Sequence, residues 1–129
     1  MITILPLQDE AKKRERLAGI PGLGKDGEIL SMQDGREEIG WAAVDLQASV
    51  LRIHQMHLFG QTLSAWNQEG NINADSLMRG AASYGAHFGA YRIEIYQPEL
   101  LDFFCAKGFT KEDNCAAAPM TLIVKVKSS

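Results

Sequence analysis

Cysteine is scarce in this chain of 129 residues: there are two, Cys105 and Cys115. Their spacing fits no metal-ligand motif and two thiols make no disulfide framework, so reduced thiols, a cytoplasmic setting and no metal are expected. No stretch approaches the ~20 apolar residues that cross a bilayer, and Met1 to Leu7 carries no basic leader, so no membrane association is expected. Positive charge is not in excess either. Thirteen Lys and Arg against 16 Asp and Glu leave a net charge of −3, which offers no field to a phosphate backbone and argues against nucleic acid as a partner. The one basic cluster, Lys12, Lys13, Arg14 and Arg16, is interrupted by Glu10 and Glu15 and reads as a solvated helix face. Repeats, low-complexity tracts and linkers are missing too. With 46% hydrophobic and 22% charged residues, the expectation is one folded domain over residues 1–129.

What is present is a succession of clear periods. Residues 2–5 read as a strand ended by Pro6, and Asp9 can cap a helix running to about Ala18, before Gly19, Pro21, Gly22 and Gly24. Residues 28–33, 38–44 and 50–58 read as three antiparallel strands, with Asp34-Gly35 supplying the first reversal. Strict alternation in the third puts Leu51, Ile53, Gln55 and His57 on one face and Val50, Arg52, His54, Met56 and Leu58 on the other. The period then becomes helical. Leu77, Ala81, Tyr84 and Phe88 fall on one face of a helix from about residue 74 to 88, Gly89 suits its stop, and residues 91–96 alternate as a strand. A strand, a helix and a strand in this order imply a right-handed parallel crossover. Pro98 opens a further helix to about Ala106, with Leu100, Leu101, Phe103 and Phe104 as its apolar face. A strand starts at Phe109, and Met120, Leu122, Val124 and Val126 alternate along a last one. The fold class is therefore α/β (α+β): a mixed, mostly antiparallel sheet with one parallel strand-helix-strand crossover.

Two strings in this order resemble the GNAT N-acetyltransferase superfamily. Ala74-Asp75-Ser76-Leu77-Met78-Arg79-Gly80-Ala81-Ala82, continuing through Gly89-Ala90-Tyr91-Arg92-Ile93-Glu94-Ile95, is similar to the family's central helix, glycine stop and following strand. Phe103-Phe104-Cys105-Ala106-Lys107-Gly108-Phe109 is similar to its Phe-Tyr-x-x-x-Gly-Phe ending. The resemblance covers residues 38–126. It implies that strands 50–58 and 91–96 run parallel and splay apart, with the pantetheine arm of acetyl-CoA or another acyl-CoA in the gap and an amine attacking the thioester. It also implies backbone contacts from Met56, His57 and Leu58, a phosphate loop at Gly70, Asn71, Ile72, Asn73 and Ala74, and further cofactor contacts from Gln97 and Phe104.

Of the family's Gln/Arg-x-x-Gly-x-Gly/Ala positions, which fall on Glu69, Ile72 and Ala74, only Ala74 fits, and the usual tyrosine acid falls at Phe104. Glu69 and Asp75 add negative charge where phosphates belong. His57 is the candidate catalytic base and Glu94 the second choice, since a neutral imidazole titrates near the useful pH. The segment 9–27 has room for one helix where the family usually has two, so the amine site is either short or completed by a second copy of the chain. Two functions follow: an acyl-CoA-dependent N-acetyltransferase acting on a small-molecule or protein amine, or a catalytically inactive GNAT-fold module for ligand binding or protein interaction.

Overall fold

A computed structural model describes residues 1–62 and 65–124 and turns the period-two stretches into one seven-stranded sheet. In chain order the elements are β1 (Ile2–Pro6), α1 (Glu10–Ala18), β2 (Glu28–Asp34), β3 (Glu37–Gln47), β4 (Val50–Leu58), α2 (Gln68–His87) and β5 (Arg92–Ile95). A 3-10 turn (Pro98–Leu100), α3 (Leu101–Cys105), β6 (Thr110–Lys111), β7 (Ala116–Pro119) and α4 (Met120–Ile123) follow. The sheet order is β1-β2-β3-β4-β5-β7-β6. Every pairing is antiparallel except β4 with β5, which α2 joins as a crossover.

Local chemistry explains where the elements begin and turn. Asp9 caps α1, its carboxylate accepting from the backbone N–H of Ala11 and Lys12 at 3.1 Å each. The β2–β3 reversal is Gly35-Arg36, one residue later than Asp34-Gly35, because Asp34 still pairs with Glu37 and Gly35 takes the positive φ of 66°. Ala48 and Ser49 turn β3 into β4 with φ of 51° and 63°, a left-handed pair without glycine.

The main core lies between the sheet and α2. Ala74, Leu77, Met78, Ala81 and Ala82 of the helix close over Leu30, Met32, Ala42, Val44, Leu51, Ile53, Met56 and Leu58. Leu77 and Ala81 face the sheet as the period requires, with Leu100 and Phe104 in the same core. Tyr84 is half-buried, and Phe88, the C-cap residue where the chain has left the helix, stays 59% exposed. A smaller cluster of Ile20, Ile29, Trp41 and Ala43 fills the other side of the sheet under Leu17 of α1.

Two expectations are corrected. The last strand is the alanine run Ala116–Pro119, paired with β5. Residues 120–123 form a helical turn, in which Met120 is buried and Leu122 is 53% exposed. Pro119 has no N–H to extend the ladder and a φ suited to the position before a helix, so the chain turns there. Val126 lies outside the described residues. The central helix begins at Gln68, not near Ala74. Asn67 caps it, its side-chain oxygen accepting from Gly70 N–H at 2.9 Å.

Candidate active site

β4 and β5 stay in register from Val50 opposite Arg92 to Ile53 opposite Ile95, and one more bond, Tyr96 N–H to the Ile53 carbonyl at 2.9 Å, closes the paired section. Beyond it the pairing ends, because β5 stops at Ile95 and Pro98 opens the 3-10 turn while β4 runs on to Leu58. In the β3–β4 ladder Val44 faces Ile53 and Ala43 faces Gln55, so His54 is an extra residue. A bulge of this kind bends and twists its strand. The next β4 donor, Met56 N–H, finds no β5 carbonyl. It donates to Oε1 of Gln97 at 2.8 Å, so a side-chain carboxamide bridges the gap where a backbone would otherwise be.

The bulge also reverses the side-chain parity of the strand. Leu51, Ile53, Met56 and Leu58 all point into the α2 core, while Arg52, His54 and His57 share the opposite face, so His54 and His57 are not on opposite faces as strict alternation predicts. His57 is exposed beside Trp41, with ring centroids 5.7 Å apart, and Phe59, at 4.9 Å.

The other sequence-nominated residues are spread over the fold. Gln97 sits at the gap. Met56 and Leu58 bury their side chains and offer the gap only backbone. Gly70, Asn71, Ile72, Asn73 and Ala74 belong to the first turns of α2 and form no loop. Gly70 is small for packing reasons, since a Cβ there would lie 2.7 Å from Gln61 Oε1 and 2.9 Å from Trp66 Cβ. Phe104 is fully buried against Phe103 and Phe109, so it has no surface to give a cofactor. Glu94 pairs with Arg52, five positions along β4 from His57, which at about 3.3 Å per residue keeps the two nominated bases apart.

Around the gap the α1-side face carries a charged network that strand alternation alone does not reveal. Asp45 of β3, with no exposed side-chain surface, receives Arg52 Nε at 2.7 Å, Gly24 N–H at 2.7 Å and His54 Nε2 at 3.1 Å. Burial works to raise the Asp45 carboxyl, but the bonds from Arg52 and Gly24 outweigh it and hold it below the ordinary carboxylate value. Burial pushes the His54 imidazole down, with Asp45 opposing and Arg52 adding to the shift. The His54 ring stacks on Tyr96, centroids 5.6 Å apart and planes 13° from parallel. Tyr96 donates to Glu94 Oε1 at 2.5 Å, and Arg92 Nε donates to Glu94 Oε2 at 2.8 Å. Burial and then the bond to Glu94 push the Tyr96 phenol up to about 12. Burial also opposes ionisation of Glu94, yet Tyr96 and Arg92 hold that carboxyl low. A signal for this network did exist. Asp45 interrupts an apolar run, and it stands as far before the Ala48–Ser49 turn as Arg52 stands after it, which makes the two cross-strand partners.

No protein-family model matches the chain, and comparison with curated proteins finds no match in sequence. Solved structures do match in shape. The ribosomal-protein-S18-alanine N-acetyltransferase of Escherichia coli superposes with a TM-score of 0.66 at 10% identity, over 93% of this chain and 94% of that one. The aminoglycoside 6'-N-acetyltransferase of Enterococcus faecium gives 0.66 at 10% identity, over 93% and 97%. A Bacillus subtilis acetyltransferase in complex with CoA gives 0.59 at 15% identity, over 87% and 77%. The mostly antiparallel sheet with one parallel pair and a helix crossing between its two strands is the GNAT fold, and this chain has it.

Proposed function

We propose that the protein is an acyl-CoA-dependent N-acyltransferase, with acetyl-CoA as the first donor to test and an amine of a small molecule or protein as acceptor. The observation that carries this reading is the end of β4–β5 pairing after Ile53 and Ile95, with the Met56 N–H beyond it taking the Gln97 carboxamide oxygen, not a strand carbonyl, as its acceptor. A thioester or pantetheine carbonyl is an acceptor of the same kind, and the Bacillus subtilis structure of this fold is a complex with CoA. An acyl thioester brings an activated carbonyl. The chain's own part is to offer Met56 N–H to the oxygen on which charge develops and to bring the amine alongside. A pocket of about 400 Å³ between α1 and the sheet, with Glu15, Trp41 and Gln55 in its lining, is the place we assign to the acceptor.

A second reading, a GNAT-fold binding module without transfer chemistry, has one specific observation in its favour. The CoA phosphates would meet the start of α2, where Glu69 stands in the first turn, and Arg79 is already held by Asp75 at 2.9 Å. Lys107 also lies 3.7 Å from Asp75, and Phe104 has no proton to give a departing thiolate.

Calorimetry and thermal shift with acetyl-CoA, CoA and longer acyl-CoAs separate the two readings. Ligand at 100 times its dissociation constant stabilises the native protein by ~2.7 kcal/mol. Binding is expected to tighten in Gln97→Ala by about fivefold, because a net hydrogen bond of ~1 kcal/mol no longer competes for Met56 N–H. The absence of any shift with millimolar acyl-CoA, in both the native protein and Gln97→Ala, rules out the acyltransferase.

A further inference from the structure

Resting on the acyltransferase reading, we propose that His54, oriented by Asp45, is the group that accepts the proton of the acceptor amine. His54 Nε2 points at Asp45 Oδ2, 3.1 Å away, and that carboxylate already receives Arg52 and Gly24 N–H. A carboxylate only accepts, so the proton of the neutral ring sits on Nε2 and the lone pair on Nδ1. Nδ1 has no hydrogen-bond partner among the described residues, so nothing among them occupies its lone pair. The ring is further fixed by its stack on Tyr96, and its side chain is only 7% exposed.

His54 is the bulged residue, next to Ile53, the last position of β4 paired with β5, and it stands two residues before the amide that would hold the carbonyl oxygen. The charged and titratable groups around its ring are Asp45 from β3, Arg52 from β4 and Tyr96 after β5, with Glu94 and Arg92 behind Tyr96. Arg52 and burial favour the neutral ring, whereas Asp45 favours the charged one, so the carboxylate steadies the imidazolium once it forms. The step balances as follows. The amine nitrogen forms a bond to the thioester carbonyl carbon and its proton passes to His54 Nδ1. The carbon–sulfur bond breaks, and the CoA thiolate leaves and takes the proton from the imidazolium, directly or through a relaying water. The products are an amide and CoA thiol, with the ring returned to neutral. His57 has no such support. Its described contacts are aromatic, and among the described residues no carboxylate is hydrogen-bonded to its ring.

The test measures acetyl-CoA turnover with a panel of an alkyl diamine, an arylethylamine, an aminoglycoside and a peptide with a free N-terminal alanine. It compares the native protein with His54→Gln and His57→Gln, and calorimetry reports acetyl-CoA affinity. His54→Gln is expected to lose about 10²-fold or more in turnover, the usual size of a general-base contribution, while binding acetyl-CoA within about threefold of the native protein. The native rate should fall on the acid side with a midpoint below the ordinary imidazole value of 6.5, and His54→Gln should lose that limb. His54→Gln turnover near the native rate, or a larger loss in His57→Gln, overturns the assignment and leaves the acyltransferase standing. A native protein that neither binds nor consumes acetyl-CoA overturns the acyltransferase, and the role of His54 with it. Should His54→Gln not fold, nitrogen NMR of the native rings and the native pH–rate profile decide together: an acid limb whose midpoint coincides with the titration of the His54 ring upholds the assignment, and a limb that does not coincide, or a neutral ring protonated at Nδ1, ends it.

Discussion

The two faces of the sheet solve the problem of burial differently. Under α2 the core is apolar throughout, with Leu30, Met32, Val44, Leu51, Ile53, Met56 and Leu58 meeting Leu77, Met78 and Ala81. On the opposite face α1 covers only Ile20, Ile29, Trp41 and Ala43. Beyond its reach the strands bury or half-bury Asp45, Arg52, His54, Glu94 and Tyr96, each with a partner. Apolar burial needs no direction, so it can seal a whole helix against a sheet. Polar groups stay buried only where every donor and acceptor is matched. The apolar face therefore sets stability, and the polar face holds side chains in fixed orientations next to the β4–β5 gap.

The largest expected effect falls on the apolar face. Leu77 is fully buried, and Leu77→Ala should cost about 2–5 kcal/mol through lost transfer energy and the cavity left behind. A urea titration reads this as a lowered midpoint at unchanged slope. An unchanged midpoint would mean that α2 does not seal this face, and the contrast between the faces would fail.

Next comes the polar face. Asp45→Ala removes the acceptor of Arg52, His54 and Gly24 N–H together, leaving Arg52 buried without its counter-ion. Losing one member of a buried pair costs about 3–5 kcal/mol, and the 17% exposure of the Arg52 side chain puts this case at the lower end. The same network makes stability fall with acid. The folded pKa of His54 lies below its ordinary 6.5, so the unfolded chain takes up that proton first, and stability declines as pH drops below 6.5 toward the folded value. The carboxyls of Asp45 and Glu94, held low in the folded state, add a second decline below about pH 4, the ordinary carboxylate range. Denaturant titrations at several pH values should show both stages in the native protein, and Asp45→Ala should lose its own share of the second.

How much of this was legible depended on whether one segment decided it alone. The Asp9 cap, the helical face of Leu77 and Ala81 and the parallel crossover each follow from local spacing, and each appears in the structure. The bulge at His54 depends on the register of two strands, so alternation within β4 put His54 and His57 on the wrong sides of one another. The start of α2 was hidden because its first turns carry Gly70, Asn71 and Asn73, which suit loops, while the Asn67 cap that fixes the boundary precedes any apolar period. Gln97 was named for its family position, but its bond to Met56 N–H, 41 residues back, follows only from the folded chain.

The smallest expected effect concerns the start of α2, where the sequence pointed to a phosphate loop. Ile72 is 58% exposed within the helix, so its bulk obstructs no loop, and Ile72→Gly should only weaken the helix, by ~0.5–1 kcal/mol. Glu69 is different. It lies in the first turn, exposed, beside amides that would otherwise favour an anion, so its charge opposes a phosphate from outside the helix. Glu69→Gln should tighten CoA binding by about two- to threefold at low salt and have almost no effect at 1 M salt, where the screening length is only about 3 Å. Acetyl-pantetheine, which lacks the phosphates, should bind both proteins equally, because it reaches only the Met56 and Gln97 end of the gap. Calorimetry with the two ligands decides between the readings. Tighter CoA binding in Ile72→Gly would restore the loop, whereas an equal gain for acetyl-pantetheine in Glu69→Gln would show that the charge acts on the whole gap and not on its phosphate end.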